Sequence, residues 1–223
     1  MIKLNIVIVF FSCLSSFACS DAQPEINNGN LSITNNPSVT DDLSNTDYNI
    51  LFVGNSLTYT NNLPELVKKE AKLKDLVIGT KMIAAGGYAI LDHWVDGEVQ
   101  KQIASKQFDF VILQQGPSSQ AYGREVLIEY GKKIRDLCIE NDAKLSYFMV
   151  WPSLDYYETF AGVIKNYQDA ATINEAILCP VGKAWKQHFD LTGDFNYYGP
   201  DGFHPSLRGS QVAAEVIVAS LFP

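Results

Sequence analysis

Hydrophobic positions along this chain fall into two alternating rhythms. Tyr48 to Gly54, Leu76 to Ala85, Phe108 to Gln114 and Lys144 to Trp151 are short, nearly continuous apolar runs, each closed by Gly, Gln or Pro. Such runs mark strands buried on both faces. Between them the apolar residues recur at helical spacing. Pro64 sits near the first turn of a helix whose stripe is Leu63, Leu66, Val67 and Leu73. Ile90 to Lys106 is helical with a break at Gly97, Arg124 to Asn141 is strongly amphipathic, and Tyr156 to Leu178 is mostly helical. A short strand at Cys179 to Val181, a helix at Lys183 to Phe189, an irregular loop and a helix from Ser206 to Leu221 complete the order. Strands alternating with helices predict parallel pairing through right-handed crossovers. The expected fold class is α/β, a three-layer α/β/α sandwich with a parallel sheet of about five strands. In such a sheet the loops after Gly54, Ala85, Gln114 and Trp151 converge at the carboxyl edge.

This pattern begins only at Tyr48. Residues 1–18 combine Lys3 with a short apolar stretch, less than the ~20 residues that cross a bilayer, and read as a signal peptide of the lipoprotein type. Ser16-Phe17-Ala18-Cys19 resembles a loose lipobox with Cys19 as the lipidated residue; simple cleavage nearby, for example after Ala22, is the alternative. Residues 19–47 are rich in Asn, Ser, Thr and Asp and read as a disordered tether. Residues 48–223 then form the single domain of an exported envelope protein, with membrane contact only through the N-terminal lipid.

Charge narrows the choice of partner. Seventeen Lys plus Arg against 25 Asp plus Glu give a net charge of -8, and the basic residues never cluster, which argues against nucleic acid. Three His and four Cys lack the paired spacing of a zinc site, so neither metal nor cofactor is expected. Cys138 and Cys179 read as buried free thiols.

Two short segments carry candidate chemistry. Gly54-Asn55-Ser56-Leu57-Thr58 follows the first strand, where a Ser at the start of a helix meets the positive end of the helix dipole. By itself it reads equally as a helix cap. Roughly 145 residues later, Asp201-Gly202-Phe203-His204 puts a carboxylate and an imidazole three positions apart, so that Asp201 orients His204 as base for Ser56. A turn residue beside a surface histidine is the ordinary reading of that segment alone. Asp92-His93-Trp94 and His188 read as packing, and Asp194 is a remote alternative to Asp201.

Together these segments resemble the SGNH/GDSL hydrolase superfamily over about Asn49 to Leu221. Val53-Gly54-Asn55-Ser56 resembles its first block, with Asn for Asp, and Asp201 with His204 resembles its last. The resemblance implies a serine esterase with Ser56, His204 and Asp201 as triad. It also implies an oxyanion hole from the N–H groups of Ser56 and Gly87, with Gly86 as the neighbouring alternative. The third block departs: Gln114-Gln115-Gly116-Pro117-Ser118 stands where the family has Gly-x-Asn-Asp, so Gln114, Gln115 or Ser118 would supply the remaining donor. Aromatic residues at the predicted active edge (Trp151, Tyr156, Tyr157, Phe160, Tyr197, Tyr198) suit sugar faces or acyl chains, with Trp151 and Tyr198 as substrate-binding residues. A small-molecule or glycan ester is the expected substrate, and carbohydrate deacetylation the preferred activity. A lipase or lysophospholipase, or a non-catalytic glycan-binding lipoprotein on the same fold, are the alternatives.

Overall fold

The computed structural model describes residues 43–223. The signal peptide, Cys19 and most of the tether lie outside the described residues. From Tyr48 onward the chain builds a five-stranded sheet, β1 (Tyr48–Gly54), β2 (Ile78–Ala84), β3 (Phe110–Leu113), β4 (Lys144–Phe148) and β5 (Ile177–Cys179), all parallel in the order β2-β1-β3-β4-β5. The helices are α1 (Ser56–Tyr59), α2 (Leu63–Lys72), α3 (Ile90–Asp96), α4 (Glu98–Ala104), α5 (Ala121–Glu140), α6 (Phe160–Ile173), α7 (Val181–Thr192) and α8 (Leu207–Leu221).

The layers follow from handedness. The chain leaves β1 toward one edge and then moves from β2 across to β3, β4 and β5. Right-handed crossovers running in opposite directions must pass on opposite faces. Thus α2, packed on α8, covers one face, while α3, α4 and α6 gather around α5 on the other. The central strands are covered twice: Ile50, Leu51, Phe52, Val53, Val111 and Leu113 are fully buried. Between β1 and β3 the connections diverge to opposite faces, which opens a crevice at their carboxyl ends.

Several element boundaries differ from the sequence pattern. The helix expected to reach Leu178 stops at Ile173, and the last strand is Ile177–Cys179 rather than Cys179–Val181. Glu175 adopts a left-handed φ of 51°, and the Ala176 N–H returns to the Ala171 carbonyl at 2.9 Å. This is a Schellman closure without its usual Gly, so the stop carries no local signature. β4 ends at Phe148, three residues early, although Met149, Val150 and Trp151 continue fully buried beside it.

Candidate active site

The crevice is organised by the turn after β1. A Cβ on Gly54 would lie 2.4 Å from Thr58 Oγ1 and 2.5 Å from Gln114 Oε1, so only Gly lets the strand end so close to β3. Asn55 then caps α1. Its Oδ1 accepts from the Leu57 N–H (3.1 Å), while its Nδ2 donates to the Tyr88 carbonyl (2.9 Å) in the loop after β2. An Asp at this position would cap equally well but could not donate to Tyr88. Ser56 thus becomes the first residue of a helix, with an N–H that has no intrahelical acceptor.

His204 meets Ser56 from the other end of the chain. Its Nε2 lies 2.9 Å from Ser56 Oγ and its Nδ1 2.6 Å from Asp201 Oδ2. The network assigns the proton to Nδ1, leaving Nε2 to accept from the Ser56 hydroxyl. Asp201 Oδ1 accepts from the N–H groups of Phe203 (3.0 Å) and His204 (2.9 Å). The hydrogen bond from His204, then the backbone donors, hold this carboxyl down at about 2. Asp194 takes no part: its Oδ1 accepts from the Asn196 N–H in a local turn. His188 stacks on Tyr197 with ring centroids 4.2 Å apart.

Several side chains fix the His204 turn. Trp151 Nε1 donates to the Phe203 carbonyl (3.0 Å), the Leu154 N–H to the Gly202 carbonyl (2.9 Å), and the Gly199 N–H to the His204 carbonyl (2.7 Å). Asn61 Nδ2 donates to both Pro205 O and Ser210 Oγ at 3.0 Å, joining the segment after Ser56 to the start of α8. Sequence reading missed Asn61. Its only signal was the Asn61-Asn62 pair, both of which have positive φ, a conformation Asn tolerates better than most residues.

Two groups of expected site residues are placed elsewhere. Trp151 is fully buried and stacked on Trp185 at 3.5 Å, and Tyr198, 7% exposed, donates its hydroxyl to the Pro152 carbonyl (2.7 Å). Both rings are core and offer no face to a substrate. Of the six aromatics expected at this edge, Tyr156 alone is well exposed, at 64%. Of the third-block side chains, Gln115 and Ser118 are likewise committed, whereas the Gln114 Nε2 is buried without a partner among the described residues. Gln114 is fully buried, its Oε1 accepting from the Asn55 N–H and Thr58 Oγ1 at 2.8 Å each. Gln115 Oε1 accepts from the Ile90 N–H, while its Nε2 donates to Ser118 Oγ (2.8 Å) and the Gly123 carbonyl (3.1 Å). Ser118 Oγ in turn donates to the Gly116 carbonyl. An oxyanion ligand would have to break one of these buried bonds to recruit either Gln115 or Ser118.

His93, expected as packing, does more than fill space. It is 2% exposed and its Nε2 lies 2.8 Å from the Gly54 carbonyl, directly beneath the Ser56 turn. Burial pushes its imidazole below the ordinary value, which keeps it neutral.

Beside Ser56 lies a cavity of about 470 Å³ that holds Gly87 and Gly116 on its polar side and Leu91, Val126 and Tyr122 on its apolar side. Gly87 has a φ of +77°. A second cavity, of about 570 Å³, lies on the Asp201 side, with Pro117 and Phe203 common to both.

No protein-family model matches the sequence, and no curated protein does. Solved structures do match. A protein assigned as an SGNH hydrolase from Slackia heliotrinireducens superposes with a TM-score of 0.68 at 22% identity, over 78% of this chain and 98% of the other. The lipase/acylhydrolase from Enterococcus faecalis gives 0.64 at 14% identity, over 78% and 95%. A variant of the acetyl xylan esterase Axe2 from Geobacillus stearothermophilus gives 0.57 at 14% identity, over 79% and 95%. The parallel five-stranded sandwich of this chain is therefore the SGNH/GDSL hydrolase fold.

Proposed function

We propose that the protein is a serine hydrolase that cleaves carboxylic esters, with acylated carbohydrates as its substrates. The continuous chain of hydrogen bonds from Ser56 through His204 to Asp201 carries this reading. Ser56 Oγ attacks the ester carbonyl while His204 Nε2 takes its proton, and the Asp201 carboxylate stabilises the imidazolium. The oxyanion is held by backbone N–H groups on the cavity wall, those of Ser56, Gly87 and Gly116, since Gln115 and Ser118 are occupied and Gln114, whose Nε2 is unpaired, does not line the cavity. His204 then gives its proton to the leaving alcohol, and water releases the acyl group by the same route in reverse.

The similarity to esterases of known fold supports ester chemistry, and the acetyl xylan esterase among them supports a carbohydrate substrate. The lipase reading draws on one observation, the apolar side of the cavity beside Ser56, which has room for more than an acetyl group. In the reading we favour, the domain works outside the cytoplasm, tethered through Cys19; the N-terminal sequence pattern supports this.

The test is hydrolysis of p-nitrophenyl acetate beside p-nitrophenyl octanoate. Turnover should vanish in Ser56→Ala, together with labelling by a fluorophosphonate serine probe, while the unfolding midpoint stays unchanged. Equal hydrolysis by the variant would overturn the mechanism. Preference for octanoate would move the assignment to lipid esters, and a wild-type protein silent on both esters and unlabelled would support the glycan-binding alternative.

A further inference from the structure

We propose that the second cavity, on the Asp201 side of Phe203, is the subsite for the alcohol half of the ester, and that it takes a polyhydroxylated alcohol without negative charge, a sugar. This inference rests on the ester-hydrolase reading above and says which half of the substrate goes where.

Two cavities meet at the same partition. Pro117 and Phe203 line both, and Phe203 directly precedes the base. The cavity with Ser56 and the three backbone donors includes Leu91, Tyr122 and Val126 beside its polar residues, apolar surface that an acyl chain can use. The leaving oxygen must face His204, because His204 protonates it. The second cavity is lined by Phe203, next to the base in sequence, and by Asp201, its carboxylate partner, so an alcohol leaving on the His204 side is directed there.

The chemistry of that second cavity is different. Its polar residues are Ser119, Gln120, Ser153, Asp155, Thr159 and Asp201, and its large exposed ring is Tyr156. A flat ring beside several hydrogen-bonding groups is the arrangement that binds a sugar face. The Tyr156 backbone is fixed at this position: its φ and ψ of -124° and 32° break the surrounding 3-10 turn, its N–H donates to the Ser153 carbonyl, and Thr159 Oγ1 donates to its carbonyl. Charge excludes the competing alcohols. Asp155 and Asp201 line this cavity and Asp92 the first, and among the described residues no Lys or Arg lines either, so a phosphate would find carboxylates and no cationic side chain there.

The experiment compares glucose pentaacetate with p-nitrophenyl acetate on the full protein and on Tyr156→Ala and Tyr156→Phe. Loss of the ring should lower the ratio of kcat/KM for the sugar ester to that for the aryl ester about five- to tenfold, mainly through KM. Tyr156→Phe keeps the face and should keep most of the ratio. A ratio unchanged in Tyr156→Ala would overturn the subsite, as would turnover of a lysophospholipid at the rate of the sugar ester. Should neither acetate be hydrolysed, the hydrolase reading fails separately, and the subsite is then judged by saturation-transfer NMR with methyl glucoside on Ser56→Ala: a signal lost in the Ser56→Ala, Tyr156→Ala double variant supports it, and no signal overturns it.

Discussion

Asp201 shows how much a single side chain can reveal through spacing alone. Two residues separate it from His204, so a tight turn suffices to join them, and the sequence pattern Asp-x-x-His carried both partners. With its carboxyl held at about 2, Asp201 stays ionised throughout the working range. Its charge is present above the ordinary carboxylate value and is lost only as pH falls toward 2, so loss of activity on mild acidification does not originate there. Asp201→Asn should lower kcat by roughly 10⁴ while leaving the unfolding midpoint close to wild type, as measured by steady-state kinetics and thermal melts. The carboxamides of the third block were not legible in the same way. Gln114 and Gln115 each carry a donor and an acceptor, and which end matters is decided by neighbours up to 59 residues away in sequence. Trp151 and Tyr198 misled for a related reason: an amphipathic ring near an active edge serves a substrate or a loop equally well, and here both polar ends are spent on backbone carbonyls.

At the level of elements, strands and helix faces were readable because burial on two sides, or on one stripe, writes its period directly into the sequence. Helix ends were readable in part. Gly97 announced the end of α3, and α5 and α8 stop within one residue of the pattern, but α6 is followed by left-handed Glu175 where Gly would have announced the stop. His93 on α3 bears on the same level, since it ties that helix to the end of β1. Its imidazole is pushed down by burial, so folding favours the neutral form. The resulting stability is complete above the ordinary histidine value, ~6.5, and is lost as pH falls below it. Urea midpoints should therefore drop between pH 8 and pH 5.5, and the drop should shrink in His93→Gln, which keeps a donor but cannot titrate. Trp151 links the end of β4 to the His204 turn. Trp151→Phe removes the donor to the Phe203 carbonyl and should cost about 1–3 kcal/mol in urea unfolding, with kcat reduced more than KM is raised.

For the whole molecule, the order of the strands decides where chemistry sits, and that order was legible only as an alternation of element types. The sheet also closes off its thiols. Cys138 and Cys179 are fully buried, and burial pushes both up to about 12. Neither should react with a thiol reagent in the native state faster than the molecule opens, so labelling rates followed by mass spectrometry should track unfolding and not thiol chemistry. A larger consequence comes from the bridge that Asn61 makes to Pro205 and Ser210. In the proposed mechanism the nucleophile is delivered by the first strand and its base by the turn before the last helix, 148 residues on. Until α8 settles against α2, Ser56 has no imidazole beside it, so under the proposed mechanism a chain still being made or caught half folded is chemically inert toward the esters around it.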